Sequence, residues 1–361
     1  MKISIITACL NSGSTIEKTI QSVIEQNYKE LEYIVIDGGS TDRTLEILKK
    51  YQKNISLLIS EPDNGIYDAM NKGIARATGD IIGIINSDDW YEPGVLELVK
   101  KFFQRSDAEV LYGRLNKIKK NGEVVVPEIS SIEKIRYEMA IPHPTVFIKH
   151  KIYEKYGTFC QKYKISSDFE LMLRLYTKGV KFDFLDKIMA NFRHGGLSEK
   201  QGKIAEKETL EIARQYLSYA PLEERNYLKN ILNHRYKAFC FEKIVDDSSY
   251  IIPDILTSQL GVRYEDNIAV FGAGKWGTKT YDALLKKGMH PLFIIDNDER
   301  KWNQTENSKK VLSPDILKNF EGVLLVMVRE YSEEIMLQVE EYRNPKIYCI
   351  TWKEIGSSFV L

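Results

Sequence analysis

The sequence is poor in cysteine, has no excess of either charge and contains no long apolar run. Its four cysteines lack a Cys-x-x-Cys pair, which argues against a disulfide framework and against a zinc site of the usual spacing. Lysine plus arginine equals aspartate plus glutamate at 51 each, so overall charge gives no indication of a nucleic-acid partner. Because no run of about 18 apolar residues occurs and the short apolar start lacks a small-residue cleavage site, we expect a cytoplasmic protein without a transmembrane helix.

The pattern of apolar residues divides the 361-residue chain into three parts. Short apolar runs that alternate with segments of helical periodicity are typical of an α/β domain. Such an alternation occurs in the early part and again in the late part of the chain. Between them, a segment rich in Glu, Lys, Arg, Tyr and Leu lacks strand alternation and favours helices. We therefore predict an α/β domain over residues 1–200, a helical linker region over 201–260 and a smaller α/β domain over 261–361.

Four apolar runs near the start of the chain have the pattern of buried strands, and each ends in a polar loop. The runs cover residues 1–9, 31–36, 55–60 and 80–85. The loops that follow them contain the sequences NSG, DGGSTD, EPDNG and NSDDW. Ser14 and Glu17 have the spacing of a capping box for the helix after the first loop. Since open α/β sheets bind ligands beyond the carboxyl ends of their strands, the four loops together predict a binding cleft.

The adjacent carboxylates of Asp88 and Asp89 lie in the loop after the fourth run. Two like charges at a strand end repel each other and are costly to desolvate, and a divalent cation relieves both effects. Mg²⁺ and Mn²⁺ prefer such oxygen ligands, completed by the phosphates of a substrate. The alternative is a solvated turn that carries two surface acids.

The ordered segments TACLN, DGGSTD, SEPDNGIYDAMNKGIARATGD and NSDDW resemble the inverting glycosyltransferase family two. The resemblance covers about the first 200 residues and implies the GT-A fold, a nucleotide-sugar donor and a metal-binding DxD-like motif. It implies that Asp89 binds Mn²⁺ or Mg²⁺ directly, with Asp88 beside it. Asn86 replaces the first acid of that motif, so we expect weak metal binding without the nucleotide. The resemblance and the loop pattern together assign nucleotide-sugar binding to Thr7, Asn11, Asp37, Gly39, Asp63, Asp68, Asn71 and Asp88, with the Asp37 carboxylate accepting from the base N–H.

Asp168 lies at the start of an apolar helix, in the sequence SSDFELML. Inverting transfer needs a base, because the attacking hydroxyl loses its proton as its bond to the sugar forms. The resemblance matches Asp168 to an E/S-D-x-x-L motif whose aspartate is that base, and a helix cap is the alternative. His143 could line an acceptor pocket, and Arg193 with His194 could reach the diphosphate or the metal. Each histidine could equally be an ordinary turn residue.

The C-terminal segment contains a glycine-rich turn, GAGKWG at residues 272–277, between an apolar strand and a helix. A second apolar strand ends at Asp296, about twenty residues after the glycines. This is the spacing of a Rossmann-like dinucleotide-binding fingerprint, in which the acid binds a ribose hydroxyl. We expect two more strands, 322–328 and 346–351, which leave no room for a separate catalytic domain. An accessory or oligomerisation role, nucleotide binding and redox chemistry stay open for this unit.

These features favour an inverting, metal-dependent glycosyltransferase of polysaccharide biosynthesis, with a UDP-sugar as donor and Asp168 as general base. The acceptor would be a hydroxyl of a glycan or of a lipid-linked saccharide. Peripheral membrane association and homo-oligomerisation through the C-terminal domain are further expectations. The alternative is an NAD(P)-dependent sugar-modifying oxidoreductase that uses the GAGKWG unit. That alternative assigns no function to residues 1–200. The sequence also lacks a Tyr-x-x-x-Lys pair after a suitable strand, which such an oxidoreductase would use.

Overall fold

The computed structural model describes residues 1–196, 200–247, 249–303, 305–306, 309–329, 331–342 and 344–357. The chain forms two compact units, Met1–Lys229 and Asn230–Leu361. Each unit combines a sheet with helices, which confirms the predicted α/β class.

The first unit is built on a nine-stranded mixed sheet. Its strands are β1 (Ile3–Cys9), β2 (Leu31–Asp37), β3 (Leu57–Ser60), β4 (Ile81–Ile84), β5 (Trp90–Tyr91), β6 (Val110–Ile118), β7 (Val124–Val125), β8 (Phe147–Lys149) and β9 (Phe182–Arg193). The strand order is β3-β2-β1-β4-β8-β6-β9-β5, with β7 paired to β6. Strands β3, β2, β1 and β4 are parallel neighbours, whereas β8 is antiparallel to β4 and β6. The carboxyl ends of the first four strands therefore lie along one edge of the sheet.

The helices of residues 1–247 connect these strands and continue beyond them. They are α1 (Ile16–Ile24), α2 (Thr44–Lys50), α3 (Ile66–Ile74), α4 (Val95–Phe103), α5 (His150–Tyr156), α6 (Ser167–Thr177), α7 (Gly202–Tyr216) and α8 (Leu222–Asp247). Helix α1 forms because Ile16, Ile20 and Val23 recur at helical spacing and are fully buried in the core of the first unit. The capping box expected for α1 is wrong. The cap residue is Thr15, which makes no side-chain cap bond, and the Ser12 carbonyl accepts from the first backbone N–H groups instead.

The second unit contains a six-stranded sheet in the order β12-β13-β11-β10-β14-β15. Its strands are β10 (Ile268–Phe271), β11 (Pro291–Ile295), β12 (Thr305–Glu306), β13 (Lys309–Leu312), β14 (Gly322–Val326) and β15 (Ile347–Thr351). All neighbours are parallel except β12 and β13. The expectation of only two strands after β11 was wrong, because β12 and β13 are short and carry lysine and glutamate in place of an apolar run.

Four helices complete the second unit: α9 (Ile252–Ser258), α10 (Lys275–Lys286), α11 (Ser332–Glu341) and α12 (Trp352–Ser357). Its core includes the rings of Phe241, Trp276 and Trp352, whose centroids lie 4.8, 5.4 and 6.2 Å apart. The helical region predicted over 201–260 is divided between the units, because α7 falls in the first and α9 in the second. None of the helices that the structure describes has the length and apolarity needed to cross a bilayer.

Candidate functional site

The loop after β2 is organised by the fully buried carboxylate of Asp37. That carboxylate accepts hydrogen bonds from the Gly39 N–H at 3.2 Å, from the Ser40 N–H at 3.1 Å and from the Ser60 hydroxyl at 2.7 Å. The Cys9 thiol lies 3.7 Å from the same carboxylate, and burial together with this negative charge raises the pKa of the thiol. Asp37 thus ties the ends of β1, β2 and β3 together, and its contact with a nucleoside base stays a prediction.

Asn11 links the loops after β1 and β2. Its backbone lies in the left-handed region at φ 49°, its N–H donates to the Ser40 hydroxyl at 2.7 Å, and its Oδ1 accepts from the Thr41 N–H at 2.9 Å. Asparagine is one of the few residues that adopt this conformation readily. Thr7, in contrast, is fully buried within β1, where its hydroxyl accepts from the Tyr33 hydroxyl at 3.2 Å. Asn11 is therefore at the exposed rim of this edge, and Thr7 is in the core beneath it.

Asp63, in the loop after β3, packs over the glycines that follow β2. A Cβ placed on Gly38 would collide with the Asp63 carboxylate, so glycine at residue 38 leaves room for that side chain. Gly39 has φ +86°, a conformation that side-chain-bearing residues rarely adopt. Asp63 Oδ1 also accepts from the Gly65 N–H at 2.9 Å. The structure thus brings Asp63, Gly39 and Asp37 together at the end of the sheet.

Two predicted binding residues on α3 bond to the chain segment that precedes α6, and their contact with a nucleotide-sugar stays a prediction. Asn71 Nδ2 donates to the Phe159 carbonyl at 2.9 Å, and Asn71 Oδ1 accepts from the Phe159 N–H at 3.0 Å. Asp68 accepts from the Asn64 N–H at 3.0 Å and from Gln161 Nε2 at 2.8 Å. The bond from Asn64 is the main cause that lowers the pKa of Asp68. Helical spacing showed that these side chains share a face, but it could not show that the face is covered by protein.

The turn after β4 buries acid side chains with few partners. Asp89 is fully buried, its Oδ1 accepts from the Arg193 N–H at 3.1 Å, and its backbone carbonyl accepts from the Thr19 hydroxyl at 2.6 Å. Burial raises the pKa of Asp89 well above its usual range, and the neighbouring Asp88 carboxylate raises it further. Burial likewise raises the pKa of Asp88. A bound cation would oppose both shifts, because its charge stabilises the ionised carboxylates.

The oxygen atoms of this turn suit a hard divalent cation. Among the residues that the structure describes, no group bonds to the buried atoms Asn86 Oδ1 and Asp89 Oδ2, an arrangement that folded proteins usually avoid. Amide and carboxylate oxygens are ligands that Mg²⁺ and Mn²⁺ accept. Within the described ranges, no group of three or more His, Cys, Asp or Glu side chains could hold a metal by itself. Further ligands would therefore have to come from a bound phosphate or from water.

The end of β9 brings Arg193 against this turn. Its Nε lies 3.4 Å from the Asp88 carbonyl, and its guanidinium is 5.3 Å from the centre of the Trp90 ring. The Lys18 ammonium lies 3.3 Å from the same ring, so two cations flank this part of the edge. His194 follows with its N–H bonded to the Ile118 carbonyl at 3.0 Å, and its ring packs edge-on against Phe192 with centroids 6.3 Å apart.

Asp168 lies on the first turn of α6, beside a cavity. Its Oδ1 accepts from the Phe169 N–H at 2.8 Å and from the Tyr67 hydroxyl at 3.1 Å. The cavity measures about 370 Å³, and Asp168, His143, Arg114 and Phe192 are among its lining residues. Burial lowers the pKa of His143, and the nearby Asp168 charge opposes that effect. Asp168 and His143 therefore share one concave site, as a base and an acceptor-pocket residue would.

Two glutamates near Asp168 have roles that the sequence did not reveal. Glu170 is buried and paired with Arg174 through two bonds of 3.0 and 3.1 Å, and it also accepts from the Tyr216 hydroxyl at 2.6 Å. Glu208, on α7, is buried against the segment that leads into α6. Charged residues of α7 were predicted to belong to a linker helix, since nothing in their spacing distinguishes a buried acid from a solvated one.

The second unit contains a larger cavity of about 840 Å³ at the carboxyl ends of β10, β11 and β14. The three glycines of the GAGKWG turn, which lies beside this cavity, differ in backbone conformation and in the space around them. Gly272 has φ +111°, a Cβ on Gly277 would collide with the Gly272 carbonyl, and a Cβ on Gly274 would meet no atom within 4 Å. Gly274 therefore exposes its backbone to the cavity that it lines.

Two of the charged side chains around that cavity, Asp296 and Lys275, already have partners in the protein. Asp296, the acid predicted for a ribose hydroxyl, accepts from the Ala273 N–H at 2.7 Å, the Asp298 N–H at 2.8 Å and the Lys301 ammonium at 3.1 Å. Lys275 pairs with Asp246 at 2.8 Å. A ligand in this cavity would thus compete with existing bonds of the protein.

Comparison with known proteins matches a segment of each unit to a family model. Residues 4–169 match the model of glycosyl transferase family 2, and residues 264–348 match the model of the C2185-like N-terminal domain. An uncharacterized glycosyltransferase of Mycobacterium tuberculosis is 32% identical over 177 residues, which are 48% of this chain and 68% of that protein. Chondroitin synthase of Pasteurella multocida is 28% identical over 325 residues, which are 86% of this chain but 33% of that protein.

A structural comparison gives the same class of fold. The crystal structure of residues 1–349 of S. aureus TarS in complex with UDP-GlcNAc matches with a TM-score of 0.52 and 20% identity, covering 79% of this chain and 80% of that chain. At that identity the similarity concerns the fold, which is of the predicted GT-A type. The sequence matches, the fold and the grouping of acids at one sheet edge agree, and the chain therefore belongs to glycosyltransferase family 2.

Proposed function

We propose that the chain is an inverting, metal-dependent enzyme that moves a sugar from a UDP-sugar to a hydroxyl group of a glycan or lipid-linked acceptor. The observation that carries the proposal is the turn after β4, where Asn86 Oδ1 and Asp89 Oδ2 are buried beside Arg193 and have no hydrogen-bond partner in the described part of the chain. The TarS structure contains UDP-GlcNAc, and chondroitin synthase is named for a glycan product, which supports both substrate classes. A lipid-linked acceptor would also bring the protein to a membrane surface.

In the proposed reaction each group of the site has one task. A Mn²⁺ or Mg²⁺ ion held by Asp89, with Asp88 and Asn86 nearby, would supply Lewis-acid stabilisation of the departing diphosphate. The Arg193 guanidinium, stacked on Trp90, would add positive charge on the same side. The loops that Asn11, Asp37 and Asp63 organise would enclose the nucleoside.

On the acceptor side, Asp168 would take the proton of the attacking hydroxyl as the new glycosidic bond forms. The 370 Å³ cavity that it shares with His143 would hold the acceptor sugar. Burial lowers the pKa of His143 and so favours its neutral imidazole, which can accept one hydrogen bond from a sugar hydroxyl or donate one to it.

A screen of donors tests the proposal directly. We expect UDP release from at least one member of a panel of UDP-sugars, with 4-nitrophenyl glycosides as acceptors, in the presence of Mn²⁺. The same reaction in EDTA should be lost, because without the metal ion too little positive charge would face the leaving diphosphate. Equal turnover of a UDP-sugar in Mn²⁺ and in EDTA would contradict the metal requirement, and no turnover of any donor would contradict the donor class.

For the second unit we propose an accessory role that includes binding of a nucleoside diphosphate. The favouring observation is Gly274, whose exposed backbone faces an 840 Å³ cavity at the carboxyl ends of parallel strands. The first backbone N–H groups of α10 would face the diphosphate there. The unit would then contribute to assembly or positioning rather than to sugar transfer.

Calorimetry on the full chain tests this second role. We expect UDP to bind at two sites per chain, and Gly274→Val to reduce the number to one, because the valine side chain would fill the space above the turn. Gly202→Val serves as the matched control, since a Cβ at residue 202 also meets no atom within 4 Å but lies far from the turn in sequence. A single UDP site in the unaltered chain would contradict the proposal, and NAD binding that is lost in Gly274→Val would identify a dinucleotide instead.

A further inference from the structure

The segment that leads into Asp168 is held by one buried side chain from α7. The Glu208 carboxylate accepts from the Lys164 N–H at 2.8 Å, the Ile165 N–H at 2.9 Å and the Ser166 N–H at 2.9 Å. Glu208 itself is 9% exposed, so these three bonds form in a place that water hardly reaches. Three consecutive backbone donors therefore depend on a single acceptor.

A second side chain, that of Tyr67, also bonds to this segment. The Tyr67 hydroxyl shares its one proton between two acceptors, the Ile165 carbonyl at 2.5 Å and Asp168 Oδ1 at 3.1 Å. Ile165 is thus fixed through its N–H by Glu208 and through its carbonyl by Tyr67. The Ser166 hydroxyl adds a bond of 3.1 Å to the Ala205 carbonyl, which again belongs to α7.

We infer that Glu208 is a positioning residue for sugar transfer, which sets the place of the Asp168 carboxylate through the backbone of residues 164–166. The inference rests on the proposed role of Asp168 as base. Two peptide units separate Ser166 from Asp168, so a shift of the anchored segment is passed on to the carboxylate with little loss. A misplacement of about 1 Å can lower a catalytic rate by roughly 10²-fold.

The arrangement is not a general property of acids on α7. Glu211, one turn further along the same helix, is 46% exposed and pairs with Lys207 at 3.7 Å. It contacts the solvent face of the helix rather than the segment before α6. The two glutamates therefore form a pair for substitution in which the helix, the residue type and the chemical change are the same, whereas the burial and the contact differ.

The test is a double-mutant cycle between Glu208→Gln and Asp168→Asn on the full chain. The glutamine amide keeps the shape of the side chain, but its NH₂ group would face a backbone donor. We expect Glu208→Gln to lower kcat for transfer from UDP-GlcNAc to the 4-nitrophenyl glycosides by about tenfold or more, with the Kd for UDP changed by less than about twofold. In the Asp168→Asn background the same substitution should change the residual rate by less than about twofold. Glu211→Gln should change neither quantity.

Additivity would overturn the inference. If Glu208→Gln lowers the rate by the same factor with and without Asp168, or weakens UDP binding as much as turnover, then Glu208 acts on the fold as a whole. Normal transfer by Asp168→Asn alone would refute the base assignment itself, and that result is read from the single variant. Should Glu208→Gln fail to fold, Glu208→Asp replaces it in the cycle, because the shorter carboxylate cannot reach all three N–H groups. The same outcomes then decide.

Discussion

Replacing Asp168 with asparagine is expected to lower sugar transfer by roughly 10²-fold or more while the affinity for UDP stays unchanged. The amide has the shape of the carboxylate, and its oxygen can still accept from the Phe169 N–H and the Tyr67 hydroxyl. What it loses is the capacity to take a proton from the acceptor hydroxyl. Initial rates of UDP release and the calorimetric Kd for UDP measure the two quantities separately.

The control for this experiment is Asp107→Asn, at a carboxylate that is 79% exposed and paired with Lys181 on the surface. It should leave both the rate and the Kd unchanged. Near-normal transfer by Asp168→Asn would show that Asp168 is a helix cap, and the search for the base would then turn to other residues that line the 370 Å³ cavity.

The second large effect is expected from Asp89→Ala, which should abolish turnover of UDP-sugars without unfolding the protein. In the described part of the chain the Asp89 side chain makes one hydrogen bond, to the Arg193 N–H, and its other oxygen has no partner. Its removal therefore costs the fold little and takes away the main ligand for the metal. UDP release and the rise in Tm on addition of Mn²⁺ with UDP measure these two properties.

For the metal variant, Asp107→Ala is the control, because it removes a carboxylate from the same unit without touching the turn after β4. It should keep the full rise in Tm with Mn²⁺ and UDP. Asp89→Ala should show no such rise, whereas its Tm without additions should stay close to that of the unaltered chain. Full activity of Asp89→Ala in EDTA would rule out a metal held by this turn.

The sequence predicted the ends of the first four strands because buried strands are apolar and their loops are not. The pair Asp88 and Asp89 could be singled out because it follows such a strand, where two adjacent like charges are unfavourable unless a cation or solvent stabilises them. The structure places both in the turn after β4, close to Arg193. That part of the site depends on local pattern and on the general rule that parallel strands present their ends together.

What the sequence could not indicate is whether a polar side chain bonds to a ligand or to the protein itself. Asn71 and Asp296 illustrate the difficulty, since each sits where a binding residue is expected and each bonds to the backbone of a distant loop. Glu208 illustrates the converse, because an acid in a charged helix gave no sign of being buried. These are tertiary contacts between residues far apart in the chain, and the periodicity of apolar residues in a sequence does not indicate such contacts.

Because α7 contacts the segment before α6, the two must be compatible in any chimera made from related genes. The part of the chain that matches family 2 ends at residue 169, directly after Asp168, whereas Glu208 lies beyond it. A chimera joined at the end of the matched part would inherit Asp168 from one parent and its anchoring helix from the other. A junction placed after Lys229, where the first compact unit ends, would keep both from the same parent. Functional crossovers among relatives should therefore cluster after α7 rather than at residue 169, where the match to the family model ends.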